Sequence, residues 1–192
     1  MKKILIGTHN KGKFKEISYL LSKKIKKVSP TRLKIKSPKE TGKTFSTNAK
    51  LKAKYFSRFT KLPVISDDSG LCIKALREKP GIHSARWAKK YGSFSNAMKF
   101  ILKKMKKKKD RSATFVCSLS FKYPSGKMIT VVGKIKGLIS HKMLGTKGFG
   151  YDPIFIPNSE FITFAQISKL KKIRIDHRYI AFRKLKEKIK IL

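Results

Sequence analysis

Acidic residues are scarce in this sequence. Its 192 residues include ten Asp and Glu against 49 Lys and Arg, which gives a formal net charge of +39. Its two cysteines, Cys72 and Cys117, lie in apolar runs and are too few for a disulfide framework or a zinc-site spacing. No apolar run approaches the ~20 residues of a transmembrane helix, and the apolar stretch of MKKILIG is too short for a secretory signal peptide. We therefore expect a soluble, cytoplasmic protein without a membrane partner.

The excess of lysine has two interpretations. A lysine-rich surface neutralises phosphates and is typical of nucleic-acid binding, whereas scattered lysines are typical of solvated faces. Six lysines crowd into residues 103–109 at the end of an amphipathic helix, but the others are spread through every segment. They lack the interleaved arginine and aromatic residues that read unpaired bases. This distribution favours an attraction to nucleic acids that is at most incidental.

The first third of the sequence alternates predicted strands and helices. Residues 3–8 (KILIGT) are typical of a buried strand, and apolar residues recur at helical spacing from Phe14 onward. Thr44 is predicted to cap a second helix, on which Lys52 faces outward as a solvated charge. Two short strands are also predicted, one near residues 33–35 and one at 62–65.

The rest of the sequence continues this alternation. Strict period-two apolar residues over 112–122, followed by the turn YPSGK and the strand MITVVGKI, predict an antiparallel hairpin. The other predicted elements are a helix over 93–105, a glycine-rich loop over 145–153, a short strand over 154–156 and a helix that begins at Asp176. Because no repeat or linker interrupts the chain, we predict one α/β domain, residues 1–192, around a mixed β-sheet.

Two adjacent carboxylates, Asp67 and Asp68, end the apolar run VISDD. Neighbouring side chains of a strand point to opposite faces, so one of the two can face a cleft. Carboxylate oxygens bind Mg²⁺, usually one or two of them together with substrate phosphates. The following Ser-Gly is equally typical of a turn, so the local pattern leaves a metal site and a turn as alternatives.

Four further features carry a functional and a structural interpretation each. The strand–turn–helix at Thr8–Lys13 is typical of an anion site, but also of a plain connection between a strand and a helix. Glu40 is either a third site carboxylate or a loop residue. Phe149, between two glycines, either stacks on a base or fills the core. The pair His177-Arg178 either binds a nucleotide or lies on the surface.

Taken together and in this order, these motifs resemble the inosine triphosphate pyrophosphatase family, which hydrolyses deaminated purine nucleoside triphosphates such as ITP, dITP and XTP. The resemblance extends over nearly the whole chain, and PGIHSARWA and GFGYDPIF are long and specific. The matching segments are THNKGK (8–13), ETG with TFSTNAKLKA (40–53), SDDSGL (66–71), PGIHSARWA (80–88), GFGYDPIF (148–155), and Lys172 with His177-Arg178.

The resemblance implies a role for each matching residue. Glu40 and Asp68 would hold Mg²⁺, or alternatively Mn²⁺, with Asp67 as a further candidate, and Asp68 would accept the proton of the attacking water. The substrate-binding residues implied are Thr8, His9, Asn10, Lys11, Gly12, Lys13 and Lys52 for the phosphates, Ser69 for a further contact, Phe149, Gly150, Tyr151 and Asp152 for the purine, and Lys172, His177 and Arg178 for the remaining nucleotide contacts.

The resemblance also implies the architecture and the reaction: an elongated mixed sheet flanked by helices, two lobes with a central cleft, and a homodimer. The substrate would be cleaved to a nucleoside monophosphate and pyrophosphate. Asp176 stands where the family usually has Ser, which leaves the base selectivity open. Two alternatives remain: a related pyrophosphatase of different base specificity, and a basic nucleic-acid-binding protein with a vestigial site. The retained carboxylates argue against the second, because a phosphate-binding surface gains nothing from them.

Overall fold

The computed structural model describes residues 3–189 as an alternation of strands and helices. The strands are β1 (Lys3–Ile6), β2 (Lys26–Val28), β3 (Val64–Ile73), β4 (Lys79–Pro80), β5 (Ser112–Lys122), β6 (Met128–Ile139) and β7 (Phe155–Pro157). The helices are α1 (Lys11–Leu20), α2 (Phe45–Ser57), α3 (Ser84–Lys90), α4 (Phe94–Met105), α5 (Lys169–Lys172) and α6 (His177–Lys188). Within residues 3–189, no helix is long and apolar enough to cross a membrane.

The strands form one mixed sheet in the order β2-β1-β3-β5-β6-β7, and β4 pairs with β3. β1 is parallel to β2 and to β3, whereas β4 is antiparallel to β3 and β7 is antiparallel to β6. The turn between β5 and β6 is closed by a hydrogen bond from the Tyr123 N–H to the Lys127 carbonyl, 2.8 Å long. These pairings confirm the predicted mixed α/β sheet and its hairpin.

The chain divides into two compact units, each with its own apolar core. Of the residues described, unit 1 comprises 3–68, 117–133 and 178–189, and unit 2 comprises 69–116 and 134–177. The main core of unit 1 packs β1, β3, β5 and β6 against α1 and α6 through residues such as Ile6, Ile17 and Leu185. The core of unit 2 gathers residues of β3, α4, β5 and β7, among them Ile101 and Phe155.

Four predicted elements differ from the structure. The strand expected near 33–35 is wrong, because Thr31–Leu33 forms a 3₁₀ turn that ends at Lys34 with φ 54°; the strand of this region is β2. β1 ends at Ile6 rather than at residue 8, and β7 lies one residue later than predicted. β3 does not end at Asp68 but continues to Ile73, so the turn alternative for SDDSG is excluded.

Candidate active site

The turn between β1 and α1 is built as the sequence predicts. Asn10 caps α1, its side-chain oxygen accepting the Lys13 N–H at 2.9 Å, and Thr8 Oγ1 accepts the Asn10 N–H at 3.2 Å. Lys11 and Gly12 begin the helix, where backbone N–H groups have no partner within the helix. His9 instead contacts a neighbouring segment: Nε2 donates to the Ile35 carbonyl at 3.0 Å.

Asp67 holds two cations of unit 1. Its carboxylate is fully buried, with Oδ2 at 2.9 Å from Lys13 Nζ and 3.8 Å from Arg178 Nε. Burial opposes ionisation, but the attraction of Lys13, Arg178 and Lys52 outweighs it and holds the pKa of Asp67 well below its usual range. Asp67 is therefore an ionised partner of these cations, and that role separates it from Asp68.

Arg178 is a buried member of the same group of charges. It is 1% exposed and forms an ion pair with the buried Glu16 of α1. The surface-pair alternative for His177-Arg178 is thus wrong. Sequence reasoning missed Glu16, although a signal exists: Glu16 follows Lys13 by three residues, which places both on one side of α1.

The second carboxylate, Asp68, belongs to a cluster with Glu40 and Lys52. Lys52 Nζ lies 2.6 Å from Glu40 Oε1 and 3.9 Å from Asp68 Oδ1. The prediction that Lys52 is solvated is wrong, because it is 8% exposed on the inner side of α2. Burial lowers the pKa of Lys52, but the attraction of the carboxylates Asp67, Asp68 and Glu40 outweighs this effect. The net shift of the pKa is upward, so the ammonium stays charged.

Asp68 has a different electrostatic balance from its neighbour. Its burial raises its pKa more than Lys52 and Lys13 lower it, so the net shift is upward. Asn48, a fully buried residue of α2 that sequence reasoning missed, donates from Nδ2 to Asp68 Oδ2 at 3.0 Å. As neighbours on a strand, Asp67 and Asp68 point to opposite faces of β3, and their chemistry also differs. Asp67 is held ionised, whereas Asp68 binds a proton more readily.

The cluster suits a hard divalent cation that shares its ligands with a substrate. Glu40 and Asp68 provide two carboxylates, the number that Mg²⁺ commonly takes from a protein when phosphates complete its coordination. In the part of the chain that the structure describes, no group of three or more His, Cys, Asp and Glu is arranged around a metal position. An ion here would need its remaining ligands from phosphate and water.

In unit 2, Asp152 organises the glycine-rich loop. Its Oδ2 accepts the Phe149 N–H at 2.8 Å and forms an ion pair with Lys172 Nζ at 2.6 Å. Gly148 and Gly150 flank Phe149 with φ of 77° and 68°, which only glycine adopts readily. The Phe149 ring is half-buried and lies 4.8 Å from Lys172 Nζ, outside the core cluster of unit 2, so the core-filling alternative is excluded.

The remaining predicted residues of unit 2 have mixed surroundings. Tyr151 is buried, donates from its hydroxyl to the Ser84 carbonyl at 2.9 Å, and has a pKa raised mainly by burial, so its side chain belongs to the core. The His177 ring stacks on Phe115 with centroids 4.8 Å apart. Ser69 is half-buried on β3.

The structure therefore brings the predicted residues together in two sets. Unit 1 contains Thr8–Lys13, Glu40, Lys52, Asp67, Asp68 and Arg178, and unit 2 contains Ser69, Phe149–Asp152, Lys172 and His177. The first set carries the carboxylates and cations that suit phosphate chemistry. The second carries aromatic rings beside one buried lysine, an arrangement that suits a flat ligand.

Two curated proteins are similar to this chain over nearly its whole length. The dITP/XTP pyrophosphatase of Caulobacter vibrioides is 40% identical to this chain over 186 residues, which cover 96% of each protein. The dITP/XTP pyrophosphatase of Dictyoglomus thermophilum is 40% identical over 190 residues, 95% of this chain and 92% of the relative.

Solved structures give the same result. The Ham1 protein of Staphylococcus aureus superposes with a TM-score of 0.87 at 34% identity and covers 98% of both chains. A HAM1 protein from Coxiella burnetii gives 0.89 at 32% identity and covers both chains completely. The sequence profile of the Ham1 family matches residues 4–188. The resemblance seen in the motifs is confirmed, and the chain belongs to the Ham1 family.

Proposed function

We propose that this protein hydrolyses deaminated purine nucleoside triphosphates (ITP, dITP and XTP) to a nucleoside monophosphate and pyrophosphate, and so removes them from the nucleotide pool. The observation that carries the proposal is the Glu40–Lys52–Asp68 cluster in a Ham1 family chain, in which Lys52 and Asp68 are buried and Glu40 is half-buried. Its relatives at 40% identity bear the name dITP/XTP pyrophosphatase. The proposal extends that activity to this chain.

The triphosphate is assigned to unit 1. The N-terminal turn of α1, capped by Asn10 and flanked by Lys11, offers backbone N–H groups and positive charge to phosphate oxygens. Lys13 adds an ammonium whose position is set by Asp67. Lys52 supplies a charge beside Asp68, where negative charge develops on the attacked phosphate.

Asp68 is assigned as the acceptor of the proton of the attacking water. Its burial raises its pKa and strengthens it as a base, while the nearby ammonium of Lys52 favours its ionised form. Glu40 and Asp68 would hold the metal ion, Mg²⁺ or Mn²⁺. That ion, when bound, would neutralise charge on the phosphate oxygens. The protein would otherwise position the water and the phosphate, which is the main requirement of phosphoryl chemistry.

The purine is assigned to unit 2. Phe149 offers a half-exposed ring for stacking, and the carboxylate of Asp152 holds both the Phe149 backbone and Lys172. His177 and Ser69 complete the proposed contacts, with Asp176 the residue that departs from the family pattern. We further propose, from the family resemblance, that the protein is a homodimer that acts in the cytoplasm. Nucleic-acid binding is assigned no role beyond the general attraction of the net charge.

Hydrolysis of ITP in ¹⁸O-water tests the site of attack. If water attacks the α-phosphorus, IMP carries one label and the released pyrophosphate carries none. Label in the inorganic product, or orthophosphate released without added pyrophosphatase, would refute the proposal. Asp68→Asn, which keeps the volume but removes the base, serves as the background control, with a kcat at least about 10²-fold lower.

A substrate panel separates the proposal from a pyrophosphatase of different base specificity. ITP and XTP should be cleaved in preference to ATP, because a site built for the 6-oxygen leaves a donor unpaired opposite a 6-amino group. EDTA should abolish the activity if a divalent ion is required. Preference for a modified pyrimidine triphosphate would favour the alternative. A protein that binds DNA tightly but cleaves no nucleotide would favour the vestigial site.

A further inference from the structure

Asn48 joins two parts of the Glu40–Lys52–Asp68 cluster. From its position on α2, Nδ2 donates to Asp68 Oδ2 at 3.0 Å, and Oδ1 accepts the Gly42 N–H at 2.8 Å. Gly42 follows Glu40 by two residues, in a segment without regular secondary structure. One amide group thus connects the strand that carries Asp68 to the loop that carries Glu40.

The orientation of this amide follows from its partners. A backbone N–H can only donate, so the side-chain oxygen of Asn48 must face Gly42 and the NH₂ group must face Asp68. The carboxylate oxygen that receives this bond is Oδ2, whereas Oδ1 is the oxygen that faces Lys52 at 3.9 Å. The amide therefore holds one oxygen of the Asp68 carboxylate, while the other faces Lys52.

At Gly42 the loop that carries Glu40 packs closely against α2. A side-chain carbon built on Gly42 would lie 2.6 Å from Asn48 Oδ1 and 2.9 Å from the Asn48 backbone nitrogen, so the loop rests directly on α2. Asn48 is fully buried, yet asparagine is a poor helix former and an expensive residue to bury. The two hydrogen bonds of the Asn48 side chain, to Asp68 and to the Gly42 N–H, offset these costs.

We propose that Asn48 is a positioning residue for the hydrolysis reaction. Its side chain holds Asp68 in one rotamer and binds the loop that carries Glu40, so that the two carboxylates keep a fixed distance and orientation. This inference rests on the proposed function. It adds a residue to which neither the motifs nor the relatives' names assign a role. Removing the amide should lower kcat without weakening substrate binding, because Asn48 is assigned no contact with the nucleotide.

Two variants separate the two hydrogen bonds. Asn48→Asp keeps an oxygen towards Gly42 but replaces the donor that faces Asp68. Asn48→Leu has a similar volume and loses both bonds. Asn96→Asp and Asn96→Leu are the controls for the same substitutions at an exposed helical asparagine, whose Nδ2 donates to the Tyr91 carbonyl at 3.0 Å in unit 2.

We expect both Asn48 variants to lower kcat for ITP by about 10- to 100-fold, as loss of a supporting residue typically does, with KM changed less than about threefold. Exchange of the Gly42 amide hydrogen, followed by NMR of protein labelled at glycine, should accelerate at least about tenfold in Asn48→Leu and stay near wild type in Asn48→Asp. The Asn96 variants should change neither quantity.

Three outcomes would overturn the inference: a fall in kcat of less than about tenfold in Asn48→Asp, a larger rise in KM than fall in kcat, or unchanged Gly42 exchange in folded Asn48→Leu. If Asn48→Leu does not fold, the isosteric Asn48→Asp decides alone. Wild-type protein that releases no IMP and pyrophosphate would refute the proposed function instead. The exchange measurement would then still report whether Asn48 holds the loop.

Discussion

Lys52 is an almost completely buried lysine, an uncommon state for this residue type. Its burial is possible because Glu40 lies 2.6 Å away and Asp68 is nearby. Neither partner could be recognised from the local pattern, since both are distant in sequence and only folding brings them to α2. Ala49, Ala53 and Phe56 form the apolar buried face of α2, and the polar residues Asn48 and Lys52 within that face carry no periodic signal.

The same limit applies to the other buried charges. Glu16 looked like an ordinary helix residue, and its partner Arg178 is 162 residues away in the chain. By contrast, Asp67-Asp68 and the loop around Phe149 could be singled out, because two adjacent acids in an apolar run and an aromatic between glycines are unusual locally. Their proposed roles still came from the family resemblance rather than from the pattern.

Replacement of Phe149 by Ala should weaken binding of the base. Stacking of a base on an aromatic ring contributes about 1–3 kcal/mol, so KM for ITP should rise by about 5- to 150-fold, with a smaller change in kcat. Phe161→Ala, which truncates a fully exposed ring in the same unit, is the matched control for steady-state kinetics. An unchanged KM in Phe149→Ala would remove Phe149 from the base site.

The Asp67 carboxylate should make folding stability depend on acid pH. Its pKa is lowered in the folded protein, so it binds a proton more weakly than in the unfolded chain. Its contribution is therefore complete above about pH 5 and is lost as the pH falls through the unfolded pKa of ~3.9, at up to about 1.4 kcal/mol for each pH unit.

Urea unfolding of wild type and Asp67→Asn at pH 5, 4 and 3 measures this contribution. We expect the wild type to be more stable at pH 5 and the difference to narrow towards pH 3. Glu187→Gln, which removes an exposed carboxylate of α6, is the control. A difference that is constant with pH would show that Lys13 and Arg178 do not hold Asp67 ionised.

At the scale of elements, the helices and strands that were predicted correctly are the long ones with a regular apolar pattern. The helix expected over 93–105 and the strand expected over 112–122 were predicted within a residue of their bounds, because each has several turns or alternations of apolar residues. β2 was missed since it is three residues long and reads KKV. The strand expected at 33–35 was wrong because Leu33 is 41% exposed and Lys34 has a left-handed backbone.

The first turn of α2 connects helix stability to the site. Thr44 caps the helix, with Oγ1 accepting the Thr47 N–H at 3.1 Å and Thr47 Oγ1 accepting the Thr44 N–H at 3.0 Å. Thr44→Ala should cost about 1 kcal/mol of unfolding free energy. It should also lower kcat, because α2 carries Asn48 and Lys52.

The comparison for Thr44 is the cap of α4. Ser93 Oγ accepts the Asn96 N–H at 3.0 Å, so Ser93→Ala should lose a similar free energy of unfolding while keeping the activity. Thr44→Ser should restore both the stability and the kcat of wild type. Equal kcat values for Thr44→Ala and Ser93→Ala would show that the cap serves the helix alone.

At the scale of the whole molecule, the distribution of acids matters more than their number. Half of the ten acidic side chains are buried, so few remain to offset the lysines at the surface. The buried acids are Glu16, Asp67, Asp68, Asp152 and Asp176. The surface is consequently more basic than the composition alone indicates, and it attracts anionic ligands over distances of about 10 Å at 0.1 M salt.

Salt should therefore slow capture of the substrate. We expect kcat/KM for ITP to fall as NaCl is raised from 50 to 300 mM, with kcat changing much less. The triple variant Lys106→Glu, Lys107→Glu and Lys108→Glu, in the exposed segment that follows α4 and lies outside the proposed site, should show a weaker dependence. A kcat/KM that does not respond to salt would show that the net charge has no part in substrate capture.

The burial of both cysteines has a practical consequence for labelling. Cys72 is 8% exposed with a pKa raised to about 11, chiefly by burial, and Cys117 is fully buried. At pH 7 only about one Cys72 in 10⁴ is a thiolate, the form that reacts with alkylating reagents. Native protein should thus take up maleimide slowly, and a cysteine introduced on the exposed face of α6 would be modified first. A fluorophore could then be attached at one chosen position without replacing either native cysteine.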